Sequence, residues 1–409
     1  MLAVARFLIL LAAMSAAPFA SAQELQPTAQ ERARFARITR ITPVIDGHND
    51  APWEIRDSHG NDPASVDLRA DTRQLDPPMH TDIPRLRRGG VGGQFWSVYV
   101  PASLNGLDHT SAVFEQIDLT RRMIAAYPRD FAFARSADDI VRIHRSGRIA
   151  SMFGIEGGEA INDNLALLRE FRRAGVLYMT LTHAENTGWV DSATAAPEHG
   201  GLTAFGEDVV REMNRIGMLV DLSHVSAEVM HDVLAVARAP VIFSHSSAFA
   251  ITQHPRNVPD DVLALVRANG GVVMVNFNAP FVSESMRQWS AQRAGEEARQ
   301  KALNPGNPDA AKAALDAWIA ANSPPRVTAA DVADHVEQIV RAAGHDHVGL
   351  GGDYDGVTYL PDGMGGVDGY VPLFAELMRR GWSDSNLAKL AGGNLLRALR
   401  QAERVAARN

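Results

Sequence analysis

The chain has 409 residues, 46% hydrophobic and 22% charged, with a formal net charge of −8 and no cysteine. The charges are spread along the chain without blocks, which argues against nucleic-acid binding. Without cysteine there are no disulfides, no thiolate ligands and no lipid on an N-terminal Cys, so any metal must be held by His, Asp or Glu.

Residues 1–22 carry Arg6, an apolar stretch beginning at Phe7 and the small-residue run Ala20-Ser21-Ala22 before Gln23, the pattern of a secretory signal peptide with its cleavage site. A transmembrane anchor is the competing reading, against which Pro18 and the short apolar core speak. No later stretch is long and apolar enough to span a bilayer, and the tail from Arg404 to Asn409 lacks a lipid-anchor signal. The mature chain, residues 23–409, is expected to be a single domain, periplasmic or secreted, without a membrane anchor. The absence of Asn-x-Ser/Thr acceptors fits a bacterial periplasm better than a eukaryotic route.

Residues 23–41 read as a polar, helical lead-in. Eight apolar runs follow, at Thr42–Gly47, Gly92–Val100, Ile149–Gly154, Leu177–Leu181, Met218–Leu222, Val241–Ser244, Gly271–Phe277 and His347–Gly352. Between most of them lie amphipathic stretches with apolar residues three and four apart, such as Val113–Tyr127, Ala204–Ile216, Ala227–Arg238, Val258–Ala268 and Ala329–Ala343. Strand then helix, repeated, predicts a (β/α)8 barrel of the TIM type; a doubly wound open sheet is the alternative that the same alternation allows. Residues 54–90 form a long excursion after the first strand, placed to fold over the mouth. Residues 283–326, charged, Ala-rich and punctuated by Asn-Pro-Gly-Asn-Pro and Ser-Pro-Pro, read as a helical insertion.

Polar residues able to bind or serve metals recur where the apolar runs stop: His48, Asp50, Glu156, His183, His224, His245 and Asp353. In a barrel these ends converge on one mouth. His48 and Asp50, two apart in extended chain, point the same way and can share a cation. Glu156 precedes Gly157-Gly158 and brings two oxygens, enough to bridge two metals. Ser223-His224 and Ser244-His245 are near copies that bring two imidazoles to adjacent strands, as one zinc ion requires. Asp355 competes with Asp353, though a turn-forming role explains it. Together they predict a two-metal site that activates a bridging hydroxide. Asp353 would move protons as base and then acid, His183 would donate a hydrogen bond to the oxyanion, and Arg256 would bind a substrate carboxylate.

The segments PVIDGHNDAPW at 43–53, GGQFWSVY at 92–99, GIEGG at 154–158, YMTLTH at 178–183, VDLSHVS at 220–226, PVIFSHSSA at 240–248, RNVPDDVL at 256–263, GLGGDYDGV at 349–357 and GNLLR at 393–397 resemble those of the membrane (renal) dipeptidase family, peptidase family M19. The resemblance implies a (β/α)8 barrel with two zinc ions that hydrolyses dipeptides with a free carboxyl terminus. It implies His48, Asp50, Glu156, His224 and His245 as ligands, His183 and Arg256 on the substrate, and Asp353 in proton transfer. The chain departs from the animal relatives after His183, where the stretch Ala184-Glu185-Asn186-Thr187-Gly188-Trp189 lacks an expected Cys and Pro. It also departs at Phe281, which stands where those relatives carry a carboxylate-binding Tyr, and in lacking the cysteine of a subunit-linking disulfide. The resemblance leaves a homodimer open. Other metal-dependent amidohydrolases, acting on lactones, N-acyl amino acids or cyclic amides, share this chemistry and are the alternative function; a catalytically silent exported binding protein is the alternative outside the enzymes.

Overall fold

Each of the apolar runs is buried at every position of the strand it forms, as near-continuous Val, Ile, Leu and Phe segments require when both faces of a sheet are covered. The computed structural model describes residues 26–104 and 106–408, so the signal segment read at 1–22 lies outside the described residues. The strands are β1 (Val44–Asn49), β2 (Val91–Ser97), β3 (Phe131–Phe133), β4 (Ile149–Glu156), β5 (Val176–Thr180), β6 (Leu219–Asp221), β7 (Ile242–Phe243), β8 (Val272–Val275) and β9 (Val348–Leu350). All pairings are parallel, in the order β2-β1-β9-β8-β7-β6-β5-β4, and β2 pairs with β4 over Gly93–Ser97, which closes the ring. The open-sheet alternative is thereby excluded.

The extra strand, β3, pairs only with the start of β4. It was not anticipated, because three residues carry no readable alternation. β7 is shorter than its apolar run because the Ser244 N–H turns away from the ladder to Asp221 Oδ1 at 2.8 Å.

Inside the ring, Ile45, Phe95, Met152, Tyr178, Leu219, Ile242 and Met274, from seven of the strands, belong to one buried cluster with the C-terminal helix residues Leu395 and Leu399. Gly349 of β9 leaves the space that Met274 fills, since a Cβ there would lie 2.8 Å from Met274 Cγ. A second, larger cluster lies between strands and helices. The helices begin and end where local chemistry dictates. Ala204–Ile216, for example, is opened by Thr203, whose hydroxyl accepts from the Gly206 N–H, and ended by Gly217 at φ 69°.

After β1 the excursion holds a helix at Ala51–Ser58, short turns at Pro63–Ser65 and Thr72–Gln74, and a helix at Ile83–Arg88. Between β8 and β9 run helices Ala279–Val282, Glu284–Leu303, Pro308–Ala321 and Ala329–Ala343, with Trp289 against Trp318 at 6.1 Å between ring centroids. No helix among the described residues is long and apolar enough to cross a membrane.

Candidate active site

His48 is fixed from behind. The Tyr178 hydroxyl donates to the Gly47 carbonyl at 3.0 Å, so it accepts from His48 Nδ1–H, also at 3.0 Å, and the lone pair of His48 Nε2 is left facing the mouth. There it lies 3.2 Å from Asp50 Oδ2 and 3.2 Å from Glu156 Oε2. Glu156, the last residue of β4, turns its other oxygen, Oε1, to His224 Nε2 at 2.9 Å and His245 Nε2 at 3.4 Å. His245 is fixed in the same manner as His48. Its Nδ1–H donates to Ser244 Oγ at 2.8 Å, and Ser244 donates to Asp221 Oδ2 at 2.5 Å.

The two imidazole nitrogens Nε2 of His224 and His245 face each other at 2.9 Å, with a carboxylate oxygen beside both. His48 Nε2 and Asp50 Oδ1 are buried without a hydrogen-bond partner. Converging lone pairs and unsatisfied buried acceptors are what a cation resolves, so the residues present fit bound metal. The candidate ligand atoms fall into overlapping groups that share His48 and Glu156: His48 with Glu156 and His245, Glu156 with His183 and His224, and His48 with Asp50 and Asp353. His224 and Asp353 both sit in the left-handed backbone region, at φ 70° and 59°, an uncommon conformation for residues with side chains that clusters at functional sites.

Around this cluster lie the substrate-facing groups. Arg256 is buried, and the hydrogen bonds of its guanidinium among the described residues are two long ones of 3.4 Å, to Ser246 Oγ and the His245 carbonyl. Burial lowers its pKa to about 10, partly offset by Asp353. Its guanidinium lies 5.5 Å from the centre of the Phe281 ring, so the residue standing for the expected Tyr does reach the site. His183 lies between Tyr99 and His224, at 4.9 and 4.4 Å between ring centroids, and burial holds its pKa below the usual histidine value against the pull of Glu156. Asp353 accepts from Asn276 Nδ2 at 2.9 Å. Burial pushes its carboxyl up to about 7, with His48 opposing and the Asp50 and Glu156 charges reinforcing. Glu156, although burial pushes it up, is held well below the usual carboxylate range by His48 and His183.

Asp50, Glu156, His183, His224, His245, Arg256 and Asp353 all line one cavity of about 520 Å³, within the range of small-molecule sites. His48 stands behind it, fully buried. Sequence reasoning did not single out Tyr178, Ser244, Asp221 and Asn276, which orient the ligands and Asp353, or Trp53, Tyr99 and Asn278 in the wall. A polar side chain inside an otherwise apolar strand, as with Tyr178, was the available signal.

A closed (β/α)8 barrel with an imidazole and carboxylate cluster at the carboxyl ends of its strands defines a metal-dependent hydrolase. The chain belongs to the membrane dipeptidase family, peptidase family M19, whose sequence pattern matches residues 32–409. It is 40% identical over 383 residues to dipeptidase tcpJ of Claviceps purpurea, covering 91% of this chain and 80% of that one. It is 38% identical over 379 residues to dipeptidase 3 of Rattus norvegicus, covering 91% and 68%. Among solved structures, the probable dipeptidase PvdM from Pseudomonas aeruginosa has the same fold, with TM-score 0.77 and 23% identity over 93% of this chain and 100% of that one. So does a metallopeptidase from Rhodobacter sphaeroides liganded with a phosphinate mimic of the dipeptide L-Ala-D-Ala, with TM-score 0.73 and 24% identity over 88% and 99%.

Proposed function

We propose that the chain is an exported dipeptidase that binds two zinc ions and hydrolyses dipeptides with a free carboxyl terminus, L,D as well as L,L. The observation that carries this reading is the presence, in one cavity, of the Glu156-centred cluster and a buried Arg256 whose guanidinium makes only long hydrogen bonds among the described residues. His48 and Asp50 would hold one ion and His224 and His245 the other, with Glu156 available to both. Zinc in such a site supplies an activated water at neutral pH and polarises a carbonyl.

The chain's own groups do the rest. Arg256 pairs with the substrate carboxylate and sets the distance from it to the scissile bond. His183, uncharged at neutral pH, donates its N–H to the carbonyl oxygen as negative charge develops there. Asp353, poised near 7, accepts a proton from the attacking water and returns it to the leaving amine nitrogen.

The test is metal content of the purified protein and, on the same sample, hydrolysis of L,L and L,D dipeptides before and after chelation. About two zinc per chain with chelator-sensitive cleavage is the expected result. Two metals without dipeptide cleavage would move the function to lactones, N-acyl amino acids or cyclic amides, and failure to bind metal after zinc addition would sink the site.

A further inference from the structure

Asp353 belongs to a turn that the backbone alone does not hold. Both Asp353 and Asp355 sit in the left-handed region, at φ 59° and 65°, and a Cβ on the next residue, Gly356, would lie 2.3 Å from Asp50 Oδ2 and 2.8 Å from Asp353 Oδ1. The turn is packed against two working carboxylates, so a small shift of its backbone displaces them. On one side it is laced to the end of β1, with the Asp50 N–H donating to the Tyr354 carbonyl at 2.8 Å and the Asp353 N–H to the His48 carbonyl at 3.2 Å. On the other side it meets the excursion after β1. The His80 N–H donates to Asp355 Oδ1 at 2.5 Å, and the Asp355 N–H donates to His80 Nδ1 at 2.9 Å. The neighbouring Thr81 accepts at Oγ1 from Asn49 Nδ2 at 2.8 Å, and Asn49 lies between His48 and Asp50.

The dipeptide His80-Thr81 therefore bonds both segments that carry His48, Asp50 and Asp353. It is itself anchored. Thr72 Oγ1 donates to the Thr81 carbonyl at 3.0 Å, and the buried Arg85, paired with Asp82 at 2.6 Å, donates to the Met79 carbonyl at 2.9 Å.

We infer that His80, with Thr81, is a positioning residue of the reaction: a clip from the excursion, outside the cavity lining, that holds Asp355 and Asn49 and so sets Asp353 and Asp50 relative to each other. The inference rests on the proton-transfer reading of Asp353. It gives Asp355 a role beyond its turn, and it gives the excursion a catalytic purpose.

The experiment compares metal-loaded wild type, His80→Ala, His80→Asn and Asp353→Asn by steady-state kinetics, metal content and melting temperature. In His80→Ala the Asp355 N–H loses its acceptor; Asn restores an acceptor at nearly the same place. The expected result for His80→Ala is a kcat lower by roughly 10–100-fold with KM within about threefold and metal content unchanged, as for other groups that orient an active site from behind. His80→Asn should recover most of the loss. A kcat within about twofold of wild type in His80→Ala would overturn the inference, as would an equal loss in His80→Ala and His80→Asn. If His80→Ala does not fold, Thr81→Val breaks the other bond of the clip and should show the same split between kcat and KM; unchanged kcat there also overturns the inference. Asp353→Asn separates the two layers. Retained turnover would sink the proton-transfer reading itself, whereas an inactive Asp353→Asn beside a normal His80→Ala sinks only the clip.

Discussion

An imidazole becomes a metal ligand through the atom on its far side. Tyr178 holds His48 Nδ1–H, and replacing it with Phe removes the acceptor while keeping the ring that fills the space beside Gly154. Tyr178→Phe should therefore fold normally yet bind metal about 10–100-fold more weakly, measured by competition with a chelator; unchanged affinity would mean that His48 needs no orienting group. At the opposite wall, Arg256→Met should lower kcat/KM for dipeptides by roughly 10–150-fold, the equivalent of about 1.5–3 kcal/mol for hydrogen bonds to a charged group. The same variant should treat carboxyl-amidated dipeptides no worse than wild type does, and an equal loss on both substrates would remove Arg256 from carboxylate binding. At this scale the candidate ligands were legible because His, Asp and Glu at the ends of apolar runs stand out. Tyr178 and Asn276 were not, because their polar atoms act only through partners remote in sequence, 130 and 77 residues away.

Among the elements, strands were legible by their continuous apolar character, and the loops that join them were not. The helix Ala329–Ala343 shows what a loop interface adds. Its His335 accepts from the Ala248 N–H at Nδ1, 3.0 Å, and donates from Nε2 to the Val282 carbonyl, 2.9 Å, so it bridges the chain after β7 to the short helix Ala279–Val282 that carries Phe281. Sequence periodicity marks His335 only as a polar residue on an amphipathic helix. Burial, above all, lowers its pKa from 6.5 to about 4. A lowered folded-state value means that the unfolded chain binds the proton more tightly. The stabilisation is thus complete above about pH 6.5 and is lost as pH falls towards 4, by up to about 3 kcal/mol. Denaturant midpoints of wild type and His335→Gln between pH 7.5 and 4 should converge as the pH falls; parallel curves would show that His335 does not carry this acid sensitivity.

For the whole molecule, the repeat of strand and helix predicted the barrel, but closure also needs the first strand, β1, to pair with the last, β9, at Asp46 and Leu350, a contact between the two ends of the barrel that no local pattern encodes. The barrel's interior and the site above it are built from different materials. Below, the apolar cluster of Ile45, Phe95, Met152, Tyr178, Leu219, Ile242 and Met274 needs no ion. Above, Glu156 faces three imidazoles within 3.4 Å, and His48 Nε2 and Asp50 Oδ1 have no hydrogen-bond partner, a cost that bound metal relieves. Metal removal should therefore loosen the mouth and spare the floor. At saturating metal the ligand contributes about 3 kcal/mol or more, so chelation should lower the melting temperature by roughly 3–10 °C while far-ultraviolet circular dichroism at 25 °C stays the same. Hydrogen exchange should accelerate at 48–50, 156–158, 223–225, 244–246 and 353–356 and remain slow in the lower halves of β4, β5 and β8. Loss of protection throughout the barrel would show that the metal builds the fold, and unchanged exchange at the mouth would show that the cluster is stable without an ion and was misread as a metal site.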